Sequence, residues 1–231
     1  MLILLHKTEL HCHSSTVSAC ASITPEQIVE KYVAAGYTTV VLVEHLNSAT
    51  FCTDKLYAGG EDWQEKIDHY MQGYHALKRA AGNKLHILWG CELCLVGTHT
   101  DYLIHGITED FLRAHEELME IEKIKGVSRL VKEAGCLLYQ AHPFRNHMEI
   151  TDPALLDGIE VFNGNPTHDS RDDFAAMWAE HYDLAPISGS DMHHAHADAC
   201  GGILTEQPIT TQEELMEVLR TRNYGLIRPE K

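Results

Sequence analysis

Short β-branched apolar runs alternate with amphipathic helical stretches about seven times along the chain, and this alternation restricts it to a parallel α/β architecture. Strand character is read over residues 7–13, 38–43, 85–95, 101–104, 136–140, 158–162, 185–188 and 224–227. Helices are read over 62–81, 115–134, 170–181 and 211–222, with a further helix opening at Thr24. Thr24 with Pro25 and Gln27, and Thr211 with Glu214, carry the signatures of helix starts. Gly36, Gly82 and Gly135 stand where helices stop. There is no Pro/Ser-rich linker and no internal repeat, so residues 1–231 are expected to form one domain. Periodicity alone does not separate an open doubly wound sheet from a closed barrel. The glycine fingerprint of a dinucleotide fold and the P-loop are both missing.

The polar residues are placed with the same regularity. His, Glu and Asp recur at the carboxyl ends of the expected strands: Glu9, His11 and His13; Glu44 and His45; Glu92; His105; His142; Glu160; Asp191 and His193. In a barrel all these ends meet on one face, where active sites sit. Strand alternation puts His11 and His13 on one side, and Asp191 and His193 repeat that spacing. Imidazole and carboxylate together suit Zn, Mn or Fe. A lone H-x-H is common by chance; it is the joint pattern that points to metal.

Composition supports this. The chain carries 17 His in 231 residues, and histidine is the commonest metal ligand. Its 18 Lys+Arg against 34 Asp+Glu give a net charge of −16, which argues against duplex nucleic acid as a partner. Seven cysteines, with no export signal in the short apolar run of residues 1–5, suggest reduced thiols and a cytoplasmic protein without membrane contact. Cys91 and Cys94 form a C-x-x-C, but on a strand they face opposite ways, which disfavours a redox dithiol. His69, His75, His115 and His181 are read as helix-surface residues, Trp63, Trp89 and Trp178 as core, and Glu116 to Glu122 as a solvated helix face.

These pieces together resemble the PHP family, the polymerase and histidinol phosphatase domain. The resemblance rests on Glu9-Leu10-His11-Cys12-His13-Ser14, Val43-Glu44-His45, Gly90-Cys91-Glu92, His142-Pro143-Phe144-Arg145, Glu160-Val161-Phe162-Asn163 and Gly189-Ser190-Asp191-Met192-His193. It covers nearly the whole chain and implies a distorted (β/α)7 TIM-like barrel with two or three divalent ions (Mn, Zn or Fe) and phosphoester hydrolysis. By position, His11, His13, Glu92 and Asp191 would hold a first ion. Glu92 would bridge to a second, also held by His142, and His45 and His193 would hold a third. The chain departs from the family pattern in three places. Glu44 stands where Asp is usual. Ser18 and Ala19 occupy the positions of a further acidic or His ligand, with Cys20 just after as a soft alternative. The remaining ligand of the second ion is contested by His105, Asp101 and His99, of which His105 is favoured.

The expected chemistry is in-line attack on a small phosphate ester between neighbouring cations. Arg145 would neutralise phosphate oxygens through its fork, and His193 or His194 would protonate the leaving group. Arg171 is read as a surface cation. Two other readings compete: an amidohydrolase-like metal hydrolase, which usually has a lysine at a strand end that this chain lacks, and a non-catalytic metal-binding module. The substrate and the oligomeric state stay open.

Overall fold

The computed structural model of the protein describes residues 5–52 and 56–229. Part of the 47–61 loop and most of the apolar run of residues 1–5 therefore lie outside the described residues. In chain order the elements are β1 (His6–Cys12), α1 (Pro25–Ala34), β2 (Tyr37–Leu42), β3 (His45–Leu46), α2 (Trp63–Ala81), β4 (His86–Cys94), β5 (Asp101–His105), α3 (Glu109–Ala114), α4 (Ile124–Glu133), β6 (Leu137–Gln140), β7 (Gly158–Asn163), α5 (Asp172–Tyr182), β8 (Ala185–Gly189), β9 (Ile203–Thr205), α6 (Gln212–Thr221) and β10 (Gly225–Leu226). Thr24 and Thr211 close reciprocal capping boxes with Gln27 and Glu214, as the sequence predicts.

One mixed sheet runs β10-β9-β1-β2-β4-β5-β6-β7-β8, with the short β3 beside the upper half of β4. It nearly closes on itself into a barrel. Cys12, at the end of β1, bridges Met192 beyond β8, and the His13 amide donates to the Met192 carbonyl at 3.0 Å. Strands β1, β2, β4, β6, β7 and β8 share one direction through their parallel pairings and the closing bridge. Their carboxyl ends therefore share one face. Leu10, Val41, Leu103, Tyr139 and Ile187 belong to one buried cluster that α6 joins through Leu215 and Leu219. Helices α1 and α2 cover β2 and β4 through Ile28, Tyr32 and Leu77.

Two strands run the other way: β9, antiparallel to β1 and β10, and β5, antiparallel to β4 and β6. The second of these bears on the site. It follows β4 after a link of only residues 95–100, closed by the Leu95 amide on the Thr100 carbonyl at 3.1 Å. A parallel return needs a crossover of a dozen or more residues, so this link can only make a hairpin. The register pairs Cys94 with Asp101 and Gly90 with His105. Asp101 is thus at the upper rim, and His105 lies roughly 13 Å lower, four steps of ~3.4 Å down the strand. A Cβ on Gly90 would sit 2.5 Å from the Ile104 carbonyl and 3.4 Å from His105 Nδ1, so glycine leaves the room in which β5 and the His105 ring pack.

The helix read over 115–134 is a 3-10 turn followed by one α-helix, and a separate helix, α3, ends just before it at Ala114. The chain leaves helix at His115 (φ −126°, ψ 60°), makes a tight 3-10 turn over Glu116–Met119, and resumes at α4. Glu116, Glu117, Glu120 and Glu122 would stack like charges along a continuous helix, which is unfavourable. The turn instead exposes the glutamates and buries Leu118. Among the described residues no helix is long and apolar enough to cross a membrane, and Cys12, Cys20, Cys91, Cys94, Cys136 and Cys200 form no disulfide.

Candidate metal centre

β1 sends His11 and His13 to the same inner side, ring centroids 5.1 Å apart. His11 Nδ1 faces Glu160 Oε1 at 2.9 Å, which directs the proton of that nitrogen to the carboxylate and turns Nε2 toward the cluster. Glu160, on β7, also accepts from the His142 amide at 2.9 Å and the Asn163 side chain at 2.8 Å. It is a buried support rather than a member of the cluster. Glu9 has a similar part. It accepts from the amides of His11 (2.8 Å) and Ser190 (2.9 Å) and from the Tyr32 hydroxyl (2.8 Å), locking the end of β1 to the turn after β8.

At the centre is Glu92, fully buried on β4. Its oxygens lie 3.3 Å from His11 Nε2, 3.2 Å from His13 Nε2, 2.9 Å from His45 Nδ1 and 3.2 Å from His142 Nε2. Asp191 Oδ1 is 3.3 Å from His11 Nε2, 3.6 Å from His13 Nε2 and 3.1 Å from His193 Nδ1. Despite these distances, His11 Nε2, His13 Nε2, His45 Nδ1, Glu92 Oε2 and Asp191 Oδ1 are buried with no hydrogen-bond partner. Buried polar atoms are rarely left so. Their separations are those of neighbouring ligands around an ion with bonds of about 2.0–2.2 Å, which places such ligands roughly 3–3.6 Å apart. Four overlapping donor groups result: His11, His13 and Glu92; His11, His142 and Asp191; Glu92, Asp101 and His142; and His13, His45 and His193. The residues fit a cluster of cations.

Two of these ligating positions carry unusual backbone. His142 (φ 29°) and Asp191 (φ 49°) are left-handed, a state costing about 1–3 kcal/mol in a non-glycine residue and concentrated at functional sites. The charges are as tightly set. Burial works against protonated His11, but Glu160, Glu92 and Asp191 outweigh it and hold its pKa well above the usual value. His193 is likewise disfavoured by burial and pushed up to about 10 by Asp191 and Cys20. His13, buried and flanked by His193 and His45, falls to about 4. Burial opposes the charged forms of Glu92 and Asp191, yet the surrounding imidazoles keep both well below the carboxylate range.

Glu44 does not touch the His45 ring, and its effect runs through serines. It accepts from the Ser14 amide at 3.1 Å and from the Ser14 and Ser18 hydroxyls, and Ser18 Oγ accepts from the His45 amide at 3.1 Å. The longer acid needs space against α2. A Cβ on Gly73 would lie 2.6 Å from Glu44 Oε1. Ser18 is therefore committed to Glu44, while, against the opposing effect of burial, His45 and His193 pull the Cys20 thiol pKa down to about 6.

The structure brings His11, His13, His45, Glu92, His142, Asp191 and His193 together. It does not bring His105 to them. The expectation of His105 at the second ion is corrected: the hairpin reverses β5, so Asp101 stands at the rim, with Oδ2 3.9 Å from His142 Nε2. His105 is buried beside Tyr139 (5.8 Å), neither ring nitrogen partnered, its pKa lowered to about 3 by burial and by His11. His194 stands 6.2 Å outside His193, bonded to Ser22 at 2.9 Å and stacked on His196. Arg145 Nη2 donates to Asp191 Oδ2 and Asn163 Oδ1, each at 2.9 Å, with Nε buried and unpartnered. A cleft of about 600 Å³ opens over the cluster, lined by His45, Asp101, Arg145 and His168 among others. A larger hollow of about 890 Å³ against Lys7, Leu204 and Leu226 shares no residue with the cluster. Arg171 holds the Phe144 carbonyl at 2.6 Å outside the cleft.

The profile of the PHP domain family matches residues 9–226. No curated protein matches the chain. Among solved structures, a two-domain protein from Bacteroides vulgatus containing a predicted PHP-like metal-dependent phosphoesterase superposes with TM-score 0.66 at 16% identity, over 97% of this chain and 65% of that one. PsfC from Pseudomonas syringae gives TM-score 0.67 at 15% identity, over 92% and 88% of the two chains. Endonuclease Q, in complex with a 27-mer duplex substrate carrying an abasic lesion at the active site, gives TM-score 0.62 at 15% identity, over 94% and 57%. The chain thus spans under two thirds of two of these proteins. The last one corrects the expectation drawn from net charge, because a protein of this fold acts on duplex nucleic acid. An acidic surface total does not report the local field of a cleft, where a single arginine such as Arg145 changes the sign.

Proposed function

The chain belongs to the PHP domain family, and from that premise we propose that it hydrolyses a phosphate ester with two or three divalent cations (Mn, Zn or Fe). One observation carries this reading: buried, unpartnered imidazole nitrogens and carboxylate oxygens from separate strand ends converge within ligand distance of one another. His11, His13, Glu92 and Asp191 hold the first cation. Glu92, His142 and Asp101 hold the second, and His45 and His193 the third. Bound cations would acidify water and neutralise phosphate oxygens.

The remaining steps belong to the chain's own groups. Arg145 is aligned by Asp191 and Asn163 through one nitrogen, which leaves N–H groups for a phosphate in the cleft. Glu160 keeps the His11 ring and the His142 backbone in place. His193 donates the proton to the leaving oxygen when its own ring is not a ligand. His194, turned toward Ser22, is the less direct donor.

Turnover of a generic aryl phosphate with added manganese tests the proposal, run beside an amide panel and a phosphodiester oligonucleotide. Asp191→Ala and His11→Ala should lower phosphate ester turnover at least roughly 100-fold, since residues merely supporting ligands are worth 10–100-fold. Amide cleavage with inert phosphate esters would favour the amidohydrolase-like alternative. Inertness of the loaded protein on every substrate would leave a metal-binding module.

A further inference from the structure

The cleft over the cluster holds about 600 Å³, the scale of a small-molecule site and far more than a phosphate group fills. Three loops form its rim, and each is fastened close to the cluster. The 47–50 turn is tied to His45 by the Thr50 hydroxyl, which donates to the His45 carbonyl at 2.6 Å. The 163–169 loop is tied to Asp191 by the Asn165 side-chain nitrogen, which donates to Asp191 Oδ2 at 3.3 Å. The 144–148 turn follows His142 and is gripped by Arg171, whose guanidinium donates to the Phe144 carbonyl and to Asn146 Oδ1.

The rim side chains are mostly hydrogen-bonding, with Met148 the one aliphatic side chain among the described residues. Asn47 Oδ1 accepts from the Ala49 and Thr50 amides at 2.9 and 3.1 Å, and Asn146 Oδ1 serves Arg171. Each asparagine therefore offers its side-chain nitrogen as a donor. Thr167 Oγ1 gives its proton to Asn165 Oδ1 at 2.7 Å and offers lone pairs. Asp169 uses Oδ1 for the Arg171 amide at 3.1 Å and keeps a second oxygen as an acceptor. His168, between them, donates at one ring nitrogen and accepts at the other when neutral. Such a mixture of donors and acceptors suits hydroxyl groups, each of which does both. Among the described residues no Phe, Tyr or Trp lines the cleft. Phe144, Phe174 and Trp178 pack together around a separate hollow. A base or aryl ring finds no broad aromatic face in the cleft, and the Asp169 carboxylate repels a second phosphate.

We propose that the substrate is the monophosphate ester of a polyhydroxylated alcohol, a sugar or polyol, whose hydroxyls are read by Asn47, Asn146, Thr167, His168 and Asp169 while Arg145 takes the phosphate. The inference rests on the phosphoester reading above and names its substrate class. The P–O bond to the alcohol breaks as water oxygen bonds to phosphorus, and the alcohol leaves with a proton, so free polyol and inorganic phosphate are the products. Arg171 acts from outside the cleft as a positioning residue, because its guanidinium holds Asn146 and its amide holds Asp169.

The test uses the full chain loaded with manganese. Sorbitol 6-phosphate is compared with hexyl phosphate, which has the same six-carbon chain without the hydroxyls. kcat/KM should favour the sorbitol ester at least about 10-fold, as two or more hydrogen bonds to hydroxyls would give. Asn146→Ala and Thr167→Val should each shrink that ratio roughly 3- to 10-fold, mainly through KM. Arg171→Ala should shrink it as well, by releasing Asn146. Fructose 1-phosphate should be preferred to fructose 1,6-bisphosphate, and Asp169→Asn should narrow that preference. Hexyl phosphate cleaved as well as the sorbitol ester, a ratio that survives both Asn146→Ala and Thr167→Val, or a preference for the bisphosphate overturns the inference while leaving the hydrolase reading intact. A loaded protein that cleaves no phosphate ester removes both.

Discussion

The coupling of Glu44 to Gly73 shows how far a single methylene reaches. The longer acid fits only because α2 has no side chain at the point of passage, and its two oxygens then organise Ser14 and Ser18. Gly73→Ala should drive a methyl into Glu44, costing about 1–3 kcal/mol as other overpacked sites do and weakening metal retention through His45 and His13. Glu44→Asp in the same chain should recover part of the loss, because the shorter acid withdraws from the methyl. Denaturant melts of the two single variants and the double variant measure this coupling. Additive losses would show that Gly73 and Glu44 act separately.

The antiparallel β5 decides which side chain reaches the rim. Asp101→Asn should lower the metal content, whereas His105→Leu should leave it unchanged. A neutral buried ring without hydrogen bonds is replaced by an apolar side chain at little cost. Metal content after dialysis separates the two positions, and the reverse ranking would return His105 to the second ion. This element also marks the limit of what was legible in the sequence. Alternation along β1 placed His11 and His13 together, whereas Asp191 and His193 reach the cluster from irregular backbone past the end of β8, with Asp191 left-handed. His105 sat at the end of a strand that looked like the others, and its direction was hidden in the shortness of residues 95–100. The break over residues 120–123, inside the helix read over 115–134, was similarly masked by apolar spacing that continues through it. The support given by Glu160 and Glu9 depends on contacts 149 and 181 residues apart, which no local pattern carries.

For the whole molecule, the cluster makes stability depend on both protons and metal. In the metal-free protein His193 has a pKa raised from 6.5 to about 10, and His11 and His45 are raised as well. Groups raised in this way contribute fully below pH 6.5, and the contribution is lost as pH climbs toward 10. His13 and His105 are lowered to about 4 and about 3, so they cost stability as pH falls below 6.5. Thermal melts of the chelator-treated protein should therefore peak near pH 6.5 and decline on either side. The metal-loaded protein should lose the alkaline decline, because cations replace the protons and bind more tightly as they leave. An alkaline decline unaffected by metal would contradict this linkage.

Elemental analysis of the reloaded protein, wild type beside Glu92→Gln, bears most directly on the cluster itself. Glu92 touches His11, His13, His45 and His142, so it is shared between positions rather than confined to one. Two or more divalent ions per wild-type chain, with at least two lost on this isosteric change, is the predicted result. A wild type holding none, or a variant that keeps its full complement, would contradict it.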